Sequence, residues 1–200
     1  LLGKRPSEVP GGSNAEIYEA KIREVLASGR NTQFELKWHN REGKELCSLI
    51  HLAAEVDTTG TVTSVLAVGR DISDRIAFEE TIWKQANFDS LTQLPNRMLL
   101  SDRLQLAKAQ SERSGKQLAV CYLDLDNFKP INDEYGHSVG DYLLIDVAQR
   151  LKTCVRSGDT VARLGGDEFV LLIGNLEDIR ECEHAMTRVT SALAHPFRIS

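Results

Sequence analysis

Long apolar runs are missing from this sequence. No stretch reaches the roughly 18 apolar residues that a membrane-spanning helix needs, so no membrane segment is expected. The first residues, Leu1-Leu2-Gly3-Lys4-Arg5-Pro6, lack the architecture of a signal peptide. An initiating Met is also lacking, which points to an excerpt of a longer protein. Cysteine is sparse: Cys47, Cys121, Cys154 and Cys182 are far apart and form no CxxC pair. That spacing indicates neither a zinc site nor a disulfide framework. It fits reduced thiols in a cytoplasmic protein. There is no surplus of positive charge: 24 Lys and Arg stand against 29 Asp and Glu, a net charge of −5. A nonspecific nucleic-acid binder would need a basic face, so no nucleic-acid partner is expected. Internal repeats and low-complexity tracts are absent too.

What remains is an ordinary globular composition, 42% hydrophobic and 26% charged, in 200 residues. That length suits one large domain or two small ones. Residues 14–28 read as a short amphipathic helix with Ile17, Ile22, Val25 and Leu26 apolar and Gly29 at the C-cap. Three extended runs follow, over 33–39, 46–56 and 62–70. The polar turns Asn40-Arg41-Glu42-Gly43 and Asp57-Thr58-Thr59-Gly60 separate them, so an antiparallel meander is expected. At Asp71-Ile72-Ser73-Asp74 the pattern changes to helix, with Ile72, Ile76, Trp83 and Ala86 near heptad positions.

A second texture begins at Phe88. Pro95 is placed to open a helix running to about Arg113, which Gly115 ends. Residues 118–125 form a continuous apolar run that suits a central strand buried on both faces. Residues 141–155 read as a helix, 161–164 and 169–173 as the arms of a hairpin around Gly165-Gly166, and 178–194 as a last helix. The division is residues 1–71 as an antiparallel module, 72–87 as a connecting helix and 88–200 as an α/β (α+β) module.

Carboxylates gather at the ends of these strands. Tyr122-Leu123-Asp124-Leu125-Asp126-Asn127-Phe128 puts two of them at the end of an apolar strand, where period 2 places Asp124 and Asp126 on one side. A charge there is costly unless paired or bound to a cation; capping or an Arg partner is the plainer alternative. Gly165-Gly166 permits positive φ and close ligand approach, and Asp167-Glu168 follow at the tip. Four carboxylates brought together would repel, and Mg²⁺ with oxygen ligands would relieve that where phosphates complete its shell. Read alone, Gly-Gly-Asp-Glu is equally an exposed turn. Between these segments stand Lys129, Asn132, Asp133, Gly136, His137, Gly140 and Asp141. Asn132 and Asp141 suit a guanine edge, or plain turn and cap chemistry, and His137 suits a structural hydrogen bond.

In order, the chain carries Phe88-Asp89-Ser90-Leu91-Thr92-Gln93-Leu94-Pro95-Asn96-Arg97, then Asp124-Leu125-Asp126-Asn127-Phe128-Lys129. Asn132-Asp133 with Gly136-His137 and Gly140-Asp141 come next, and Arg163-Leu164-Gly165-Gly166-Asp167-Glu168-Phe169 closes the set. Together these segments resemble the GGDEF-domain family, the diguanylate cyclases, from about residue 86 to the end. The resemblance implies a nucleotide-cyclase-like sheet flanked by helices and the condensation of two GTP into cyclic di-GMP with release of pyrophosphate. The active form it implies is a homodimer with the site between subunits. Carried over, Asp124, the Leu125 carbonyl and Asp167 would hold Mg²⁺, with Mn²⁺ as the alternative. Asp167 would also serve deprotonation of the 3′-hydroxyl, and Glu168 would complete the acidic cluster. Asn132 and Asp141 would read guanine, Lys129 would face phosphate, and Gly165 and Gly166 would admit the substrate. Arg156 and Asp159, at RxxD spacing upstream of the hairpin, match the family's inhibitory product site. The family's domain continues past residue 200, so the resemblance implies a C-terminally truncated domain.

Residues 1–71 resemble the C-terminal part of a PAS domain, on the meander and on Val68-Gly69-Arg70-Asp71-Ile72-Ser73 leading into a helix. Trp38, His39 and His51 form no haem or flavin motif. The expectation is a diguanylate cyclase regulated by this module. The alternative is a noncatalytic domain that binds GTP or cyclic di-GMP, such as that of a GGDEF-EAL phosphodiesterase.

Overall fold

The structure, a computed structural model, describes residues 14–40 and 42–197. The chain divides into two compact units between Thr81 and Ile82.

In the first unit, helix α1 (Ala15–Ser28) ends at Gly29, whose left-handed backbone (φ 67) returns its N–H to the Val25 carbonyl at 2.8 Å. Strands β1 (Thr32–His39), β2 (Glu45–Val56) and β3 (Val62–Asp71) form the expected antiparallel meander in the order β1-β2-β3. Val25, Ile50 and Leu52 make its core, with Tyr18, Ile22 and Phe34 packed around them. The buried stripe of α1 is therefore Ala15, Tyr18, Ile22 and Val25, the 3–4 spacing that faces one neighbour. Ile17 and Leu26 lie off that stripe and stay exposed. Trp38 is structural: its indole N–H donates to the Ser48 hydroxyl at 3.0 Å. Helix α2 (Ser73–Asn87), whose residues from Ile82 on belong to the second unit, starts where Asp71 accepts from the Ser73 N–H at 2.9 Å. No residue of α2 is buried, and Phe78, Ile82 and Trp83 are exposed.

The second unit holds α3 (Arg97–Ser114), β4 (Gln117–Asp124), α4 (Phe128–Tyr135), α5 (His137–Cys154), β5 (Thr160–Gly165), β6 (Glu168–Leu176) and α6 (Ile179–Ala194). Its sheet is antiparallel with the order β4-β6-β5. Period 2 sends Phe169, Leu171 and Ile173 of β6 to one face, where Leu144, Val147, Leu151 and Val189 of the flanking helices meet them. Val170 and Leu172 go to the other face, against Leu100 of α3. The sheet is thus flanked by helices, as expected.

Three expectations change. Among the described residues the middle strand is β6, not residues 118–125. Among the described residues β4 pairs only with β6, and its alternate side chains stay accessible, Tyr122 to 75%. Pro95 does not open α3. It bridges to Phe88, and Asn96 caps the helix by accepting from the Met98 and Leu99 N–H groups at 2.9 and 3.1 Å. Finally, residues 128–135 form α4, which the turn-like residues Asn127 and Gly136 on either side hid in the sequence.

Arg150 secures the end of α6. Its guanidinium donates to the carbonyls of Ala192 (3.0 Å), His195 (2.6 Å) and Pro196 (3.0 Å) and lies 3.8 Å from the Phe197 ring centre. The four cysteines are free. Burial, with the neighbouring Cys182 thiol, pushes Cys121 up to about 11, so it stays a packing thiol at neutral pH. No described helix is long and apolar enough to cross a membrane.

Phe169, fully buried at the start of β6, is the largest side chain of this core. Phe169→Ala should cost about 3–5 kcal/mol in chemical denaturation of the protein. A loss under about 1 kcal/mol would show that the sheet core lies elsewhere.

Candidate functional site

The hairpin between β5 and β6 is built on two glycines. Gly165 pairs with Glu168, which leaves Gly166 and Asp167 as the tip. Gly165 and Gly166 take φ of 140° and 53°, values that a side chain would strain. Asp167 is half-buried and Glu168 is exposed.

Register then sets the acids against each other. β4 ends at Asp124, and Asp124 is the direct partner of Glu168 across the β4–β6 ladder. Directly opposed residues place their β-carbons about 4.5–5.5 Å apart, and like charges there destabilise the pair. Asp126 does not share the strand face with Asp124. The strand has ended, and Asn127 turns the chain with a left-handed backbone (φ 62) into α4. Asp124, Leu125 and Asp126 instead rim a groove of about 580 Å³ floored by apolar residues that include Phe128 and Ile131. Among the described residues no three Asp, Glu, His or Cys side chains converge as metal ligands, so the expected gathering of four carboxylates is not present.

Helices α4 and α5 carry the next group. A β-carbon on Gly140 would collide with the Asn132 amide oxygen and press on the Phe128 ring, so glycine is what lets the two helices close. The Asn132 amide oxygen is buried there without a hydrogen-bond partner. Asp141, the next residue of α5, is exposed, as are Lys129 and His137. None of these four polar residues lines the groove beside Asp124.

Arg156 and Asp159 meet in a separate cavity of about 600 Å³, shared with Arg103, Ser111 and Thr160. Asp159 accepts from the Arg156 N–H at 2.9 Å and from the Gly174 N–H at 3.3 Å. The Arg156 guanidinium is exposed and reaches Glu181 at 3.2 Å.

Sequence reasoning passed over three residues that support the hairpin. Arg163, 9% exposed, donates to the Gly166 carbonyl through Nε (2.9 Å) and Nη2 (2.6 Å) and to Asp89 through Nη1 (2.9 Å). The same Asp89 oxygen accepts from the Thr92 N–H (2.8 Å) and hydroxyl (2.6 Å). Burial works against an ionised Asp89, but the bonds from Thr92 and Arg163 outweigh it and hold the carboxyl below the usual range. The signal was present: a charged residue between Ala162 and Leu164, in a strand with no other polar side chain until its first residue, requires a buried partner.

The protein-family comparison matches residues 86–200 to the GGDEF domain of diguanylate cyclases. Among curated proteins, the chain is 47% identical over 141 residues to the bifunctional diguanylate cyclase/cyclic di-GMP phosphodiesterase MucR of Pseudomonas aeruginosa, covering 69% of this chain and 19% of that protein. It is 38% identical over 207 residues to the cyclic di-GMP phosphodiesterase PdeR of Escherichia coli, covering 98% of this chain and 31% of that protein. The chain thus spans about a fifth to a third of the length of these relatives. Among solved structures, the GGDEF domain of TpbB from P. aeruginosa superposes with a TM-score of 0.55 at 40% identity, covering 56% of this chain and 66% of that one.

The Asn132–Gly140 contact gives this site a direct test. Gly140→Ala should force α4 from α5 and destabilise the protein by about 1–3 kcal/mol in thermal or chemical unfolding. Unchanged stability would show that the helices do not close there.

Proposed function

The chain belongs to the GGDEF-domain family of diguanylate cyclases, and from that premise we propose that it condenses two GTP molecules into cyclic di-GMP and pyrophosphate. The observation that carries this reading is the register that sets Asp124 against Glu168, beside Asp167 at a two-glycine tip. The Asp124 carboxylate, the Leu125 carbonyl and the Asp167 carboxylate form a hard oxygen donor set, which suits Mg²⁺ or Mn²⁺. Two carboxylates suffice where substrate phosphates and waters complete the shell. The Leu125 carbonyl accepts from the Phe128 N–H at 3.3 Å and keeps a second lone pair for a ligand. When bound, the cation offsets phosphate charge and acidifies the attacking hydroxyl.

The chain's own residues do the rest by positioning. Asp167 accepts the proton of the 3′-hydroxyl, and Glu168 adds to the negative field at the tip. Gly165 and Gly166 leave room for the substrate against the backbone. Asn132 presents a buried, unpartnered acceptor that suits the N–H groups of guanine, with Asp141 next to Gly140 as its partner. Lys129 faces phosphate. Arg156 and Asp159 share a cavity of about 600 Å³ that takes cyclic di-GMP on this reading, where the Arg grips phosphate or stacks on guanine and the Asp accepts guanine N–H groups.

Each subunit holds one GTP, so the working unit is a homodimer that presents one nucleotide to the other. The exposed Phe78, Ile82 and Trp83 of α2 support pairing with a second copy. We assign residues 1–71 to a PAS-like regulatory module, 72–87 to a connecting helix and 88–200 to the catalytic domain. The helix and three-stranded meander of the first unit support that assignment.

A second reading has its own support, because the phosphodiesterase PdeR aligns with 98% of this chain. On that reading the domain binds GTP or cyclic di-GMP and regulates a neighbouring EAL phosphodiesterase. Incubating the full-length protein with GTP and Mg²⁺ and assaying cyclic di-GMP by chromatography separates the two. Turnover that falls at least about 10²-fold in Asp167→Ala supports the cyclase. Nucleotide binding without product supports the regulatory reading, and near-wild-type turnover in Asp167→Ala removes that residue from the site. Arg156→Ala should keep turnover and lose inhibition by added cyclic di-GMP. Equal inhibition of both forms would contradict the product-site assignment.

A further inference from the structure

The hairpin tip is not held by its own strands alone. Peptide planarity means that fixing the Gly166 carbonyl also fixes the N–H of Asp167 and thus the direction in which residue 167 leaves the tip. The Arg163 guanidinium fixes that carbonyl from two nitrogens, Nε at 2.9 Å and Nη2 at 2.6 Å. Its third nitrogen is held by Asp89 at 2.9 Å. Its backbone N–H donates to the Pro95 carbonyl at 3.0 Å. One residue of β5 therefore grips the tip on one side and the segment between α2 and α3 on the other.

That segment is itself closed. The Asn96 N–H donates to the Asn87 carbonyl at 2.9 Å, and the Asn96 amide donates to the Ala86 carbonyl at 2.8 Å. The Asp89 N–H donates to the Leu94 carbonyl at 2.8 Å, and Thr92 holds the same Asp89 oxygen that Arg163 holds, through its N–H at 2.8 Å and its hydroxyl at 2.6 Å. The end of α2 is thus tied, bond by bond, to Asp89, from Asp89 to Arg163, and from Arg163 to Gly166.

We infer that Arg163 is a positioning residue for the reaction and that Asp89 acts through it, so that the segment leaving α2 sets the direction of Asp167. Neither residue touches substrate; both act through the Gly166 peptide. The inference deepens the cyclase reading and rests on the role given there to Asp167. It also gives α2 a route by which a change at its end reaches the acid at the tip. An Arg is required, since only a planar fork holds one carbonyl from two nitrogens while a third nitrogen holds a carboxylate.

The test uses the full-length protein and four changes: Arg163→Ala, Arg163→Lys, Asp89→Asn, and Asp89→Asn combined with Arg163→Ala. Steady-state kinetics with GTP, melting temperature and amide hydrogen exchange at residues 166–168 are read for each. Arg163→Ala should lower kcat by about 10²-fold, the scale of a misplaced catalytic group, with KM changed less than about two-fold. Asp89→Asn should lower it less, and the double variant should be no slower than Arg163→Ala, because the two residues act in series. Arg163→Lys should recover the melting temperature and leave kcat low. Exchange at 166–168 should rise in every variant while the amides of α5 stay protected. A kcat that simply follows melting temperature, multiplying losses in the double variant, or unchanged exchange at the tip would each overturn the inference. If the wild-type protein makes no cyclic di-GMP, the cyclase reading fails, and tip exchange alone then decides whether Arg163 holds the hairpin.

Discussion

A guanidinium inside a sheet is the constraint on which the second unit depends. Arg163 stands in β5 between Ala162 and Leu164, and its charge has almost no access to water. Such a charge is tolerable only with full hydrogen bonding, and removing one partner of a buried pair typically costs about 3–5 kcal/mol. Asp89 and the Gly166 carbonyl are those partners. Satisfying Arg163 therefore obliges two otherwise independent pieces to come to it: the turn after α2 and the tip of the hairpin. A hydrophobic replacement would fill the same space but hold neither piece.

The second constraint is register. In an antiparallel ladder a one-residue slip sends every side chain to the wrong face, and the burial of Phe169, Leu171 and Ile173 forbids it. The same register puts Asp124 opposite Glu168. The repulsion between them is a local cost carried by the sheet core, and it is the condition a divalent cation would relieve. Stability invested in Phe169 and its neighbours is thus what allows two acids to be held together. The close packing of α4 on α5 follows the same logic, because a missing side chain at Gly140 brings Asn132 to a buried position where its amide oxygen lacks a partner.

Much of this was legible in the residues. The meander, the hairpin and the terminal helix followed from period 2, period 3.6 and the turn residues. The acids at the strand ends were visible as charges out of place. What the sequence hid was pairing partners. The apolar run of β4 looks central, but its neighbours are set by the sheet order, which local pattern does not encode; β6, with its Asp167-Glu168 entry, holds the middle. The helix α4 was obscured because Asn127 and Gly136 bracket it with turn-like residues. Arg163 was read as part of a motif and not as a buried charge, and Asp89, 74 residues away, could not be joined to it without the fold. Period 2 would set Asp126 beside Asp124 only in a strand two residues longer than β4, which ends at Asp124.

On the cyclase reading, nucleotide is received by the acids at the strand ends and not by the Arg156–Asp159 cavity alone. A crystal structure of the full-length protein with a nonhydrolysable GTP analogue and Mg²⁺ tests it most directly. The expected result is metal and phosphates at Asp124, the Leu125 carbonyl and Asp167, guanine beside Asn132, and Arg163 still holding the Gly166 carbonyl. Nucleotide found only against Arg156 and Asp159, with no metal at Asp124 and Asp167, would contradict it.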